Sequence, residues 1–221
     1  MNYFIVGDVH GCLNTFIEIL KRWDPETQRL IQVGDLVDRG RFIVETVAYA
    51  RELEARYPDR VTFVLGNHED EVISLVLSKD SNPWFHSMGG ETMNQYRKSG
   101  KSIEEDAAWF ANLPLFYEDD YVFVSHAGLS AVADDPLERE SLIWHRSPIK
   151  DIRKTQVYGH TPRFELTPLR DPLTHSIDID TACVYGGKLS AIVLDEKGQE
   201  IDFISIKVDK RDINVSYFTG I

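Results

Sequence analysis

Cysteine occurs only twice in these 221 residues, at Cys12 and Cys183, and neither lies in a CxxC or Cys/His spacing. That excludes a disulfide framework or a structural zinc knuckle and leaves both thiols reading as small buried hydrophobes. No apolar run approaches the roughly 20 residues that span a bilayer, and the start lacks the basic, apolar and small-residue succession of a secretory leader. The expectation is a cytoplasmic chain with no membrane partner. Basic residues are scarce, 24 against 36 acidic ones, and the net charge of -12 argues against bulk nucleic-acid binding, which needs a basic footprint. A phosphate-bearing substrate fits this charge only if metal ions reverse the field locally. Repeats, low-complexity tracts and flexible linkers are also missing, and the 43% hydrophobic share suits a globular core, so residues 1–221 read as one domain. Nothing in the pattern sets an oligomeric state.

What the chain does have is a series of short strand patterns, each running into glycine and polar residues. Tyr3 to Val6 predicts a strand, Cys12 to Trp23 a helix, Leu30 to Val33 a strand, Phe42 to Tyr57 a helix and Val61 to Leu65 a third strand. This is α/β layering. The three strands end in GDVHG (7–11), GDLVDRG (34–40) and GNHED (66–70), and neighbouring strand ends converge on one sheet edge. From Glu69 to Leu113 the pattern is helical, with Ser102 and Glu105 at capping-box spacing, and predicts a helical cap beside that edge. Strand character returns at Tyr121 to Val124 and Gln156 to Tyr158, followed by SHAG (125–128) and GHTP (159–162), where a second sheet is expected to begin. A period-2 stretch with a turn at Asp195 to Gly198 predicts a closing hairpin.

Five strand-to-loop junctions therefore carry Asp8, His10, Asp35, Asn67, His126 and His160. Singly, each has an ordinary reading: Asp8 as a helix cap, His126 and His160 as core histidines, Asp38 with Arg39 as a surface ion pair. Together the imidazole, carboxylate and amide groups suit two divalent ions, manganese with iron or zinc as alternatives, better than calcium. Two ions about 3.5 to 4 Å apart hold the phosphoryl oxygens of an ester and supply a bridging hydroxide for direct attack. Asp35 is the natural bridging carboxylate. His68 follows Asn67 and can face the leaving oxygen as general acid, with Asp38 available to orient it. The guanidinium fork of Arg39 matches two phosphate oxygens, as does that of Arg146 if the fold brings its loop over the metals.

In that order, GDVHG, GDLVDRG, GNHE, SHAG and GHTP resemble the phosphoprotein phosphatase family of metallophosphoesterases, in its bacterial and phage branch. The resemblance runs from Gly7 to about Lys188 and includes WFHSMGG, LIWHR and IDIDTACVYGGKLSAIVL. It implies a calcineurin-like sandwich of two mixed β-sheets flanked by helices, with a dinuclear site at the strand ends. By the same resemblance Asp8, His10 and Asp35 hold one ion, and Asp35, Asn67, His126 and His160 the other. His68 with Asp38 is then the acid pair, and Arg39 with Arg146 the phosphate clamp.

The activity implied is that of a metal-dependent serine/threonine protein phosphatase, because Asp38 and Glu69 match the protein-phosphatase form of the motifs. The alternative is a symmetrical diadenosine tetraphosphate hydrolase or another nucleotide phosphohydrolase, which shares the metal chemistry and differs in the pocket. A non-catalytic scaffold ranks behind both, since it would be expected to lose ligands whose clustered charges repel without metal. His86, His145 and His175 read as structural or peripheral, Trp84, Phe85, Gly89 and Gly90 as packing and turn residues, and Glu118 to Asp120 as a solvated turn. Substrate specificity is assigned to the cap segment around Trp84 to Ser99, to the loop Leu129 to Arg146, or to accessory partners.

Overall fold

The computed structural model describes residues 1–78 and 89–213. One sheet is built on β1 (Asn2–Val6), β2 (Gln28–Gln32) and β3 (Val61–Phe63), which lie parallel side by side. These alternate with α1 (Leu13–Leu20) and α2 (Ile43–Arg56), so the three strands point the same way and their C-terminal ends share an edge. After β3 come α3 (Asn67–Ile73) with a π-turn at Ser74–Ser78, then α4 (Gly90–Ser99) and α5 (Ile103–Phe110). The second sheet has the order β4 (Phe116–Glu118), β5 (Val122–Ser125), β6 (Thr155–Tyr158), β8 (Ser176–Asp178), β7 (Leu169–Asp171), with β5, β6 and β8 parallel. Helix α6 (Arg139–Trp144) lies between β5 and β6 in the chain. The hairpin of β9 (Lys188–Leu194) and β10 (Glu200–Lys207) returns to the first sheet, β9 antiparallel to β1.

Both sheets are mixed, as the family resemblance implies. Along β1, Tyr3 and Ile5 enter one cluster with Val122, Val124, Val157 and Ile177 of the second sheet, while Phe4 and Val6 join a second cluster with Phe16, Ile19, Ile43 and Val47 of the helices. A strand covered on both faces has no polar side to show, which is why its sequence is a continuous apolar run.

Boundaries moved for local reasons. Helix α1 stops at Leu20 rather than Trp23, because Lys21, Arg22 and Trp23 donate to Glu18, Ile19 and Leu20 three residues back and tighten the final turn. Cys12 is its N-cap residue and Phe42 that of α2, so neither is helical. Asp8 does not cap α1. The second sheet begins at β4, ahead of Tyr121, and the acidic stretch before β5 is more than solvated: Asp119 accepts the Tyr121 and Val122 N–H groups (both 2.9 Å) and the Tyr3 and Tyr117 hydroxyls. Half of the expected capping box is made, with Ser102 Oγ accepting Glu105 N–H at 3.2 Å. Gly100, at φ +67°, ends α4. The closing hairpin turns where its Asp and Gly predicted, with Gly198 N–H bonded to Asp195 O. Trp84, Phe85 and His86 lie outside the described residues, and among the described ones no helix is long and apolar enough to cross a membrane.

Candidate metal centre

Five loops meet at the shared edge, and their backbone is unusual. His10, Asp35, Asp38, Arg39 and His160 all have positive φ, from +46° to +70°, without being glycine. Such residues cost of order 1–3 kcal/mol each and persist where the surroundings over-determine them. Here Glu69 is the fastener. Its buried carboxylate accepts four backbone N–H groups: Gly66 (3.1 Å) and Asp35 (2.8 Å) on Oε2, Leu36 (2.8 Å) and Val37 (3.1 Å) on Oε1. It thus locks the GNHE turn to the GDLVD turn. Val9 and His10 N–H groups, bonded to Asp35 O at 3.1 and 2.8 Å, tie in the first motif. Two motif glycines are needed because a carboxylate oxygen stands where their Cβ would be: 2.3 Å from Asp35 Oδ1 at Gly66 and 1.9 Å from Asp8 Oδ1 at Gly159.

The imidazoles are oriented by backbone carbonyls. His10 Nδ1 donates to Val37 O (2.7 Å), His126 Nδ1 to Val33 O (2.9 Å) and His160 Nε2 to Trp144 O (3.2 Å). In each ring the other nitrogen then carries a lone pair, and these lone pairs converge on Asp35. Asp35 Oδ2 lies 3.4 Å from His10 Nε2 and 3.8 Å from His68 Nε2, while Oδ1 lies 3.4 Å from His126 Nε2. His126 Nε2 is also 2.8 Å from Asn67 Oδ1 and 3.1 Å from His160 Nδ1. Imidazole nitrogens this close to carboxylate and amide oxygens form a donor set that a cation would satisfy, a place the Arg39 guanidinium takes in part at His10 Nε2. Two groups can hold one: His10, Asp35 and His68, and Asp35, His126 and His160, with donor atoms within 4.8 Å of one another. Asp35 belongs to both; Asp8, expected in the first group, is not among its donors, and His68, expected as the acid, is.

Asp8 stands beside the pair. Its carboxylate accepts His160 N–H (3.2 Å to Oδ2), so it joins the first and last motifs. Burial, and then repulsion from Asp180 and Asp35, push its carboxyl well above the usual range; burial and Glu69 do the same to Asp35. Burial holds the His10 and His126 rings well below theirs and His160 at about 3. Neutral imidazoles with available lone pairs beside carboxylates crowded together are the electrostatics a divalent cation relieves.

Around this core, His68 Nδ1 is bonded to Asp38 Oδ2. Burial lowers the titration of His68, and the bond to Asp38 opposes that. The Arg39 guanidinium bonds the His10 ring and stands over the Tyr185 ring, 5.4 Å from its centroid. Arg146, exposed after α6, bears electrostatically on His68, His126 and His160. All ten predicted site residues therefore come together at this edge. His175 does not, pairing with Asp151 at 3.1 Å, while His145 pins its loop to Gly128 O (3.0 Å) and also bears electrostatically on His160.

Four residues of the site went unread in the sequence. Asp180 and Asp178, both buried, are raised to about 6 and about 8, burial being the first cause in each. In SIDID they pass for the polar half of a strand alternation; the available signal was an aspartate on each side of Ile179 in a segment otherwise apolar enough for a core. Tyr185 and Thr92, which touch Arg39 and Asp38, carry no local signal at all.

A family model described as calcineurin-like phosphoesterase matches residues 1–204. The serine/threonine-protein phosphatase PP2A-like PPG1 of Candida albicans is 34% identical over 128 residues, 57% of this chain, which spans only 29% of that protein. A bis(5'-nucleosyl)-tetraphosphatase PrpE [asymmetrical] of Geobacillus is 26% identical over 93% of this chain and 94% of its own length. A solved structure described as a candidate diadenosine tetraphosphatase superposes with a TM-score of 0.69 over 95% of this chain and 94% of its own, at 22% identity, a likeness of fold.

Proposed function

Because the chain belongs to the calcineurin-like phosphoesterase family, we propose that it is a serine/threonine protein phosphatase with two divalent ions at the Asp35 edge. Asp8, His10 and Asp35 would hold one ion, and Asp35, Asn67, His126 and His160 the other. Nitrogen and oxygen donors without sulfur suit manganese, with iron or zinc as alternatives. Bound ions supply Lewis acidity toward the phosphoryl oxygens and an activated water. The chain's own groups do the rest. Arg39 and Arg146 clamp phosphate oxygens, and a dianionic phosphate against His68 pulls its ring toward the protonated form. His68 then gives its Nε2 proton to the departing oxygen while Asp38 keeps hold of Nδ1–H.

The pair of His68 and Asp38 carries this choice. A serine or threonine leaves as an alkoxide, a strong base that needs a proton in the transition state; a nucleotide leaves as a phosphate already stable as an anion. A positioned acid is therefore worth most on an alkyl phosphate. Glu69, which also favoured this reading in the sequence, is a backbone fastener here. The second reading, hydrolysis of a dinucleoside tetraphosphate, is supported by a relative matched over nearly the full length of both chains and named for the asymmetrical reaction, and by another named for the symmetrical one.

The test is phosphate release by manganese-loaded protein from matched phosphoserine, phosphothreonine and phosphotyrosine peptides, against nucleotide release from diadenosine tetraphosphate. Preference for the serine and threonine peptides, with kcat falling about 10²- to 10⁴-fold in His68→Asn and metal binding retained, supports the proposal. Preference for the dinucleotide, or turnover indifferent to His68→Asn, defeats it.

A further inference from the structure

Asp38 has two carboxylate oxygens, and only Oδ2 meets His68. The other accepts a hydrogen bond from the Thr92 hydroxyl, on α4, a side chain with no solvent exposure. One helical turn along, Gln95 grips the same loop: Nε2 donates to Gly40 O (2.9 Å) and Oε1 accepts Ile43 N–H (2.8 Å) at the start of α2. Glu91 in turn holds the Gln95 amide at 2.9 Å. Residues three apart share a helix face, so Thr92 and Gln95 press one face of α4 onto one loop.

That loop contains two consecutive non-glycine residues in the left-handed region, Asp38 at φ +70° and Arg39 at φ +68°. Asp38 orients the acid, and Arg39 is one arm of the clamp. A carboxylate's terminal torsion is broad, and a donor on each oxygen narrows it. Donors on both oxygens fix its plane, and with it the ring of His68.

We infer that α4 positions the proton-transfer pair, with Thr92 as the positioning residue that sets the Asp38 carboxylate and Gln95 as the brace of the loop behind it. The inference rests on the phosphatase reading of the site. Its consequence is selective: loss of the Thr92 hydroxyl weakens proton delivery and leaves phosphate binding in place.

The experiment compares Thr92→Val and Thr92→Ser with the parent protein, manganese-loaded, on two phosphomonoesters. The p-nitrophenolate of p-nitrophenyl phosphate departs without a proton, whereas the alkoxide of a phosphoserine peptide needs one. Thr92→Val should lower kcat on the peptide by about 10- to 100-fold with KM almost unchanged, as outer partners of site residues commonly do. Its kcat on p-nitrophenyl phosphate should stay within about threefold, which also shows that the variant folds and holds its metals. Thr92→Ser should restore most of the peptide activity. Equal losses on both esters, an unaffected peptide rate, or no rescue by serine would overturn the inference. A parent protein that turns over neither ester would instead bring down the phosphatase reading itself, and the inference with it.

Discussion

Asp212 closes the N-terminus of α1 from 197 residues away in sequence, and replacing it with alanine should cost more stability than any surface substitution. The N-cap residue of α1, Cys12, makes no side-chain cap. Asp212, fully buried, does this work, accepting Asn14 N–H (3.0 Å), Thr15 N–H (2.8 Å), the Asn14 amide (2.7 Å) and the Thr15 hydroxyl (2.6 Å). Losing a cap costs about 0.5–2 kcal/mol. Leaving the buried Thr15 hydroxyl short of its acceptor adds about 1–3 kcal/mol, while the half-buried Asn14 can recover water. The sum is about 1.5–5 kcal/mol, or a fall in Tm of roughly 3 to 20 °C for a chain of this size. Thermal unfolding followed by far-UV circular dichroism in chelator measures it without stabilisation by bound metal. Asp212→Asn, which keeps one acceptor but turns an amide toward the other donors, should fall between. An alanine variant within about 2 °C of the parent would refute the reasoning and leave α1 capped by something else.

Glu69→Gln should destabilise by about 2–4 kcal/mol, since both oxygens already serve two N–H groups and an amide nitrogen must oppose one pair; urea unfolding should show a lower midpoint at unchanged slope. Gly159→Ala places a Cβ 1.9 Å from Asp8 Oδ1, so calorimetry should find affinity for at least one ion reduced by about tenfold or more, and unchanged binding would contradict that role for Asp8. In metal-free protein, Glu69 is raised to about 7 and Asp178 to about 8, so the folded state holds more protons than the unfolded one and stability falls as pH rises through that range. His10 and His126, held well below 6.5, and His160, at about 3, act oppositely and only below about 6.5. Tm should therefore decline between pH 6.5 and 8 in chelator, and manganese should flatten the decline because binding releases protons; a metal-free Tm that rises across the window would be contrary evidence.

What could be read in the sequence was what repeats locally. Most strands announce themselves by an apolar run, and Asp8, Asp35, Asn67 and His160 each follow a glycine, with His10 two residues past Asp8 and His126 in SHAG, so these six candidate ligands could be picked out without knowing how the strands pair. His68 and Asp38 were legible for the same reason, standing within the same turns. The partners that hold those turns in place were not. Thr92, Asp212 and Tyr185 belong to other elements, and a threonine in a helix or an aspartate near a chain end has many ordinary reasons to be there. Asp178 and Asp180 were hidden by their own strand, whose alternation explains an aspartate as easily as burial beside Asp8 does. Element ends drifted by a few residues wherever a final turn tightened, as after Leu20, because periodicity reports the face of a helix better than its last hydrogen bond.

The most direct test of the shared Asp35 is the number of ions bound. Calorimetric titration of chelator-stripped protein with manganese should give two ions per chain, and Asp35→Asn should weaken both at once, since each of its oxygens faces a different group of imidazoles. Fewer than two ions in the parent protein, or two undiminished ions in Asp35→Asn, would contradict a dinuclear centre built on that residue.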